Sequence, residues 1–352
     1  MDAVRLEQHD RFLGEYFRNS TVLISGATGL IGSHAAAYLD RLNRLQNANI
    51  RIVALYRSEE KRAALAAQLH CPQQVCFVQC DVEQGVPYAE AVDYVIHCAG
   101  YSGGTKMHLK DPVKVFDTGI GGTRALLDLA AACGCKGFLY VSTYEVYGEQ
   151  NGEERIREDD PVRLDTFALR NCYAEIKRLC EALLCAFSAK YGLNTYAVRL
   201  TSTFGSGVGY NDPRFFAEFA RCIVENRDIV LKSHGATVRS YLDADDAAIA
   251  FLYVLAKGRS CTAYNLTNME NEISILEIAK RMIALQASPI AIRIEGAEDV
   301  SGTGMRKEGK TVMDAAAIEA LGWKPVWPLD DTLNKLVETF RRHKCSESEA
   351  SV

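Results

Sequence analysis

The sequence predicts an α/β fold: a doubly wound parallel sheet followed by a smaller C-terminal α/β unit. Three observations predict it. Apolar, β-rich runs recur along the first two-thirds of the chain, helix-period stretches separate them, and a glycine-rich turn joins the first run to the first helix. The runs are Thr21–Ser25, Arg51–Tyr56, Val75–Gln79, Tyr94–His97, Gly137–Ser142 and Thr195–Leu200. Being continuously apolar rather than alternating, they suit a sheet covered on both faces. Helical patterns at Gly32–Asn43, Glu59–Leu69, Val113–Ala132 and Tyr173–Tyr191 supply the right-handed crossovers. The first domain is therefore read as residues 21–200. After Leu200 the rhythm changes to loops with Gly, Asp and Pro, then mixed helices and strands. Residues 201–340 are read mainly as a capping domain, with a segment near 236–258 returning to the first. Residues 1–20 form an N-terminal extension with a short helix outside the sheet, and the polar residues 341–352 are expected to fray.

Composition narrows the class. The 352 residues are 48% hydrophobic and 24% charged, with a formal net charge of -5. That balance suits a globular protein and argues against a nucleic-acid or anionic-membrane surface, which needs clustered Lys and Arg. No apolar run approaches the ~20 residues of a membrane span. The first residues, MDAVRLEQHDRFLGEYF, lack the apolar stretch of a signal peptide, so a cytoplasmic protein is expected. Twelve cysteines lie scattered through apolar or helical segments, and Cys133 and Cys135 flank one glycine, too tight for a C-x-x-C pair. Buried small hydrophobes are the expectation for them, and no metal site is assigned.

Gly26-Ala27-Thr28-Gly29-Leu30-Ile31-Gly32 follows the first strand and opens a helix. Gly26 permits the tight turn, Gly29 lets backbone approach a pyrophosphate, and Gly32 lets helix and strand pack closely. The helix amino terminus, at Leu30 and Ile31, faces the negative charge. In this context the motif marks a dinucleotide-binding (Rossmann) sheet. At the end of the second strand stand Tyr56 and Arg57 instead of the acid that binds the adenosine ribose. Arg57 either accommodates the 2′-phosphate of NADP or is a solvated surface residue, so NAD and NADP both stay open. Asp81 and Val82, after the third strand, are placed for the adenine. His97-Cys98-Ala99-Gly100, after the fourth, supplies small residues where backbone runs close to a cofactor. Turn chemistry alone would explain each of these as well.

The sharpest signal is Val141-Ser142-Thr143-Tyr144-Glu145-Val146-Tyr147-Gly148 with Tyr173-Ala174-Glu175-Ile176-Lys177 some thirty residues on. Tyr173 and Lys177 share one helix face. Hydride chemistry at a carbinol carbon needs a group that exchanges the hydroxyl proton, and a free tyrosine, titrating near ~10, is a poor base at neutral pH. An adjacent ammonium favours the phenolate, so Lys177 is expected to lower the Tyr173 value. Thr143 would hydrogen-bond the same substrate oxygen.

These residues, with GATGLIG, HCAG, VRLTSTFG, VRSYLDADD, AYNLT and ALGWKP, resemble the extended short-chain dehydrogenases that act on nucleotide sugars, the NAD-dependent epimerase/dehydratase group, over roughly residues 20–340. The resemblance implies Thr143, Tyr173 and Lys177 as catalytic residues. It implies Gly26, Gly29, Gly32, Asp81, Ala99 and Lys177 as cofactor contacts, with NAD as the cofactor. It makes Arg239 the residue that grips the nucleotide diphosphate, a role suited to a bidentate guanidinium. Arg199 and Asn265 are candidates for substrate contact or for structure. Residues 201–340 become the substrate-binding domain. A homodimer is implied, pairing Val113–Ala132 and Tyr173–Tyr191 of two subunits in a four-helix bundle.

Three positions depart from the family: Gly119 and Ser202 stand where asparagines are common, and Tyr144 stands where sugar 4,6-dehydratases carry the Asp of Thr-Asp-Glu. Lacking that acid, 4,6-dehydration is disfavoured. UDP-glucuronate decarboxylases are similar at Thr143–Gly148 and Cys172–Arg178, where Glu145 would orient the sugar, assist proton movement or cap a loop. Three readings follow: a decarboxylase or epimerase that recycles the hydride, an NADPH-dependent 4-keto-nucleotide-sugar reductase, and a non-catalytic dinucleotide-sensing protein. The substrate loops are expected at Tyr101–His108 and Ser206–Arg214.

Overall fold

The computed structural model describes residues 1–88, 90–100, 110–150, 154–295 and 309–350, with side chains described as far as Cys345. Helix α1 (Ala3–Tyr16) opens the chain, capped by the Asp2 carboxylate, which accepts from the Arg5 amide at 3.0 Å. Strand β1 (Thr21–Ser25), helix α2 (Leu30–Gln46), strand β2 (Arg51–Tyr56), helix α3 (Glu59–Ala66) and strands β3 (Val75–Gln79) and β4 (Tyr94–His97) follow. Next come α4 (Pro112–Phe116) and α5 (Gly122–Cys133), then β5 (Gly137–Thr143), α6 (Cys172–Tyr191) and β6 (Thr195–Leu200). The apolar runs thus fall on β1 to β6, with β5 reaching one residue further, to Thr143.

The second half holds β7 (Ser202–Phe204), α7 (Phe215–Glu225), β8 (Ile229–Leu231), β9 (Val238–Asp243), α8 (Ala244–Lys257), β10 (Thr262–Leu266) and β11 (Asn268–Ser274). It ends with α9 (Ile275–Leu285), β12 (Ile292–Ile294), β13 (Lys310–Thr311), α10 (Ala316–Glu319) and α11 (Leu329–Ala350).

Seven parallel strands pair in the order β10-β6-β5-β4-β1-β2-β3. From β1 the chain steps outward to β2 and β3, then crosses back to β4 on the other side. That reversal opens a crevice beyond the carboxyl ends of β1 and β4, where ligands bind in such sheets. One face is covered by α1, α2 and α8, through Leu13, Phe17, Leu39, Leu42, Phe251 and Leu255. The other is covered by α5 and α6, through Leu126, Leu127, Ile176, Cys180 and Leu184. A separate core joins α7, α9 and α11 around Phe216, Phe219, Met282 and Phe340. Beside it β11, β9 and β13 pair, with β7 also on β9.

Three elements differ from the reading of the sequence. The expected helix Val113–Ala132 is broken by a π turn at Asp117–Gly121, where glycines weaken the helix and Gly119 meets α6. The chain returns to the main sheet with α8 and also with β10, which pairs with β6, so the return extends to Leu266. Residues 341–350, part of the stretch 341–352 expected to fray, continue α11, where Lys344 Nζ donates to the Val224 carbonyl. Helix α1 packs on the outside, with Leu13 fully buried and the Asp10 carboxylate paired to Arg41 at 2.8 Å.

Leu13→Ala is expected to cost about 2–5 kcal/mol of stability, as for other fully buried leucines. Urea unfolding followed by circular dichroism measures it, and a loss under about 1 kcal/mol would mean that α1 is an appendage to the core.

Candidate active site

The glycine turn stands at the crevice. Gly26 has φ +64°, and a Cβ there would lie 2.8 Å from the Ala99 amide nitrogen, so the exits of β1 and β4 touch backbone to backbone. A Cβ on Gly32 would lie 2.2 Å from the Gly26 carbonyl oxygen. Gly29 is different: it is exposed, and a Cβ would meet only that same oxygen, at 3.3 Å. No side chain caps α2 at Gly29, and the amides of Leu30, Ile31 and Gly32 in its first turn lack intrahelical partners. Open space, free donors and the positive helix end together suit a pyrophosphate. The Leu30 and Ile31 side chains anchor the turn by packing on the two cores.

A buried chain of hydrogen bonds stitches β1 to β4. The Ala99 amide donates to Ser25 Oγ at 3.1 Å, and the Ser25 hydroxyl donates to His97 Nδ1 at 2.6 Å. His97 Nε2 donates to Thr123 Oγ1 at 3.0 Å, whose hydroxyl donates to the Gly119 carbonyl at 2.6 Å. This order needs a neutral ring, and burial pushes the His97 value down to about 3. Asp81 caps a short turn after β3, accepting from the Glu83 amide at 3.3 Å, and Val82 is buried against Gly122. Arg57 is exposed, and its guanidinium has no hydrogen bond or ion pair among the described residues, while the Tyr56 hydroxyl bonds Glu59.

Thr143, Tyr173 and Lys177 meet at the carboxyl end of β5. The Tyr173 hydroxyl shares a hydrogen bond with the Thr143 hydroxyl. Lys177 Nζ donates to the Val141 carbonyl at 2.7 Å and lies 4.5 Å from the Tyr140 ring centre. It also lies 3.7 Å from where a Gly100 Cβ would stand, which brings the ammonium beside the exit of β4. The expectation that Lys177 lowers the Tyr173 value is corrected. Burial first, then Glu145 and the Tyr144 phenol, push the Tyr173 phenol well above its usual range; the Thr143 bond and Arg214 pull it back. The ammonium is 5.8 Å from the Tyr173 ring centre and turned toward Val141, and burial pushes its own value down.

Arg239, on β9, places its guanidinium carbon 6.0 Å from the Tyr144 ring centre, and its value is raised, first by Tyr144. Tyr241, two residues on and hence on the same strand face, has a fully buried hydroxyl without a partner among the described residues. Burial raises its value, and its ionisable neighbours are Arg239 and Tyr144. Arg199 and Asn265 sit elsewhere. Arg199 is bound to Glu181 at 2.8 Å, the Tyr147 hydroxyl at 2.9 Å and the Glu158 carbonyl at 2.9 Å. Asn265 is fully buried and bonds Tyr147, the Ile156 carbonyl and Glu158. Both brace the turn after Thr143 from below, because all their polar groups find protein partners there. Tyr101–His108 lies outside the described residues. Reading the sequence assigned no individual role to Arg214, named only as the end of the expected substrate loop, or to Tyr241; Arg214 pairs with Asp212 at 2.6 Å and lowers the Tyr173 value. No spacing marks the first; the second was legible only as a residue two after Arg239.

A model described as the NAD-dependent epimerase/dehydratase family matches residues 22–267, more than half of the chain. The chain belongs to that family. Its members are enzymes, and the non-catalytic reading falls. UDP-glucuronic acid decarboxylase 1 of Danio rerio is 28% identical over 94% of this chain and 75% of its own length. The dTDP-4-dehydro-6-deoxy-D-allose reductase of Streptomyces bikiniensis is 28% identical over 95% of this chain and 98% of its own. Among solved structures, the UDP-glucose 4-epimerase of Thermotoga maritima, determined with UDP-glucose, superposes with a TM-score of 0.77 at 20% identity, covering 92% of this chain and 99% of that one. This family member carries no described helix long and apolar enough to cross a membrane.

Two glycines separate packing from binding. Gly32→Ala is expected to destabilise the fold by about 1–3 kcal/mol, since α2 must move off the Gly26 carbonyl. Gly29→Ala should leave stability within about 0.5 kcal/mol and weaken NAD binding about tenfold or more, about 1.4 kcal/mol. Thermal unfolding and calorimetric titration with NAD measure both. Equal effects of the two changes on binding would remove Gly29 from the pyrophosphate site.

Proposed function

We propose that this enzyme oxidises a sugar hydroxyl of a nucleotide-diphosphate sugar, at C4, and returns the hydride within the same cycle, in the manner of a decarboxylase or an epimerase. The observation that carries the reading is the hydrogen-bonded Thr143–Tyr173 pair with Lys177 one helical turn away, facing the exit of β4. Gly26, Gly29, Leu30, Ile31, Gly32, Asp81, Val82, Ala99, Tyr173 and Lys177 would hold the dinucleotide. Bound NAD supplies a hydride acceptor that can also give the hydride back. Tyr173 takes and later returns the hydroxyl proton, and Thr143 holds the same oxygen. Lys177 keeps two N–H groups for a ribose after bonding Val141. Arg239 grips the diphosphate, with the Tyr241 hydroxyl beside it. Glu145 orients the sugar or carries a second proton. Tyr144 supplies no carboxylic acid for loss of a C6 hydroxyl, which disfavours dehydration.

A second reading, an NADPH-dependent 4-keto-nucleotide-sugar reductase, is favoured by the exposed Arg57 guanidinium, unpaired among the described residues, and the missing acid at the end of β2. Denaturing the purified enzyme and weighing the released dinucleotide separates the two. Stoichiometric NAD supports hydride recycling; NADP, or an empty site that takes up NADPH, supports the reductase.

Because the folded environment raises the Tyr173 value, its phenol is protonated at neutral pH and the phenolate fraction grows tenfold per pH unit below that value. The oxidative half-reaction, read as NADH absorbance in a single turnover, should therefore accelerate from pH 7 to 9. Tyr173→Phe should slow it by about 10²–10⁴ and abolish the slope. A wild-type rate flat with pH would place the base elsewhere.

A homodimer is part of this proposal. Val113 (69% exposed) and Phe116 (38%) on α4 and Leu179 (46%) on α6 leave apolar side chains on the outer side of the helical layer. Light scattering should give twice the chain mass, and Leu179→Asp should give the monomer; a wild-type monomer would end this part of the reading.

A further inference from the structure

His34 stands in the second turn of α2, just beyond the glycine turn, and is almost fully buried. Its two ring nitrogens face acceptors only. Nδ1 lies 2.5 Å from Asp245 Oδ1, at the start of α8, and Nε2 lies 2.9 Å from the Ser206 carbonyl, in the loop between β7 and α7. A carbonyl cannot donate. Asp245 is held as a carboxylate by a second partner, Lys335 Nζ of α11, at 2.7 Å. A neutral imidazole has one N–H and would leave one of these two acceptors facing a bare nitrogen lone pair. The arrangement is satisfied only by a ring carrying both protons.

We infer that His34 is an obligatory imidazolium and a positioning residue, pinning the Ser206–Arg214 loop of the substrate half to the dinucleotide helix. The charges around it come from every packed element. Asp245 faces it from α8 and Asp243 from the end of β9. Lys335 of α11 bridges both carboxylates, at 3.1 Å from Asp243 and 2.7 Å from Asp245. Arg41, two turns along α2, feels Asp245 as well. From the loop side the Ser206 carbonyl faces Nε2, a Cβ at Gly207 would lie 3.9 Å from that nitrogen, and the Gly207 amide donates to Thr339 Oγ1 of α11 at 3.4 Å. The loop thus hangs between α2 and α11 by two bonds near its start. At its end Arg214 precedes α7 and acts on Tyr173. His34 touches neither the glycine turn's open space nor Tyr173; it acts through where the loop lies.

The sign of the pH effect follows. Asp245 holds His34 protonated above its ordinary range, against burial, so the link is complete at lower pH and is lost as pH rises through the folded value. Nitrogen-15 NMR of the ring at pH 6.5 in the wild-type protein should show both nitrogens protonated; a neutral tautomer there would overturn the inference. The second measurement compares His34→Gln with wild type by hydrogen–deuterium exchange over residues 205–214. The amide of Gln is uncharged and carries both its donors on one nitrogen, whereas the imidazolium donates from opposite sides of its ring. Exchange should be about tenfold faster in the variant at pH 6.5, the scale of one lost charge-assisted bond. The variant-to-wild-type ratio, which cancels base catalysis of exchange, should fall toward one above the His34 titration. A ratio near one at pH 6.5 would overturn the positioning role, and neither readout depends on the substrate or on turnover.

Discussion

The close approach of backbone at the exits of β1 and β4 is the constraint on which the rest of the structure depends. Gly26 lies against Ala99, and Gly32 lies against Gly26, each with no room for a side chain. Those two contacts set where α2 begins and aim its free amides into the crevice. The buried Ser25–His97–Thr123 chain then fixes β4 and the π turn at Gly119 relative to β1 without placing any charge in the core. Hydrogen bonding here is complete, which is what makes a buried polar chain tolerable.

The carboxyl end of β5 is built differently, on charge. Below Thr143, Ser142 donates to Glu181 at 2.6 Å, and Glu181 pairs with Arg199, which in turn bonds Tyr147. Arg199 and Glu181 are each about 14% exposed, so the pair is largely dry, and loss of one partner would strand the other at a cost of about 3–5 kcal/mol. This network holds the turn from Tyr144 to Tyr147 rigid and leaves Glu145, Tyr144 and Tyr173 to face the ligand side. Tyr173 thereby sits among two groups that raise its proton affinity and two that lower it. Its acid/base strength is set first by burial and then by these neighbours.

Much of this was legible in the sequence because it is local. Apolar runs became strands, and the order of glycine turn, strand end and Y-x-x-x-K brought Thr143, Tyr173 and Lys177 together. What was not legible is what depends on long-range neighbours. Whether Arg199 meets a ligand or a buried glutamate turns on Glu181, eighteen residues earlier on a different element. The effect of Lys177 on Tyr173 turns on where its ammonium points, and the Val141 carbonyl competes for it. The break at Asp117–Gly121 was hidden in a helical pattern because a π turn keeps an apolar face while adding one residue to it.

A Cβ at Gly119 would lie 2.4 Å from Ile176 Cγ2, so the isoleucine fills the volume that any side chain at 119 would need. The two positions are sterically complementary across the gap between α6 and the π turn. Among descendants and cousins of this chain, a larger residue at the first should travel with a smaller one at the second, and a single exchange at either should be rare.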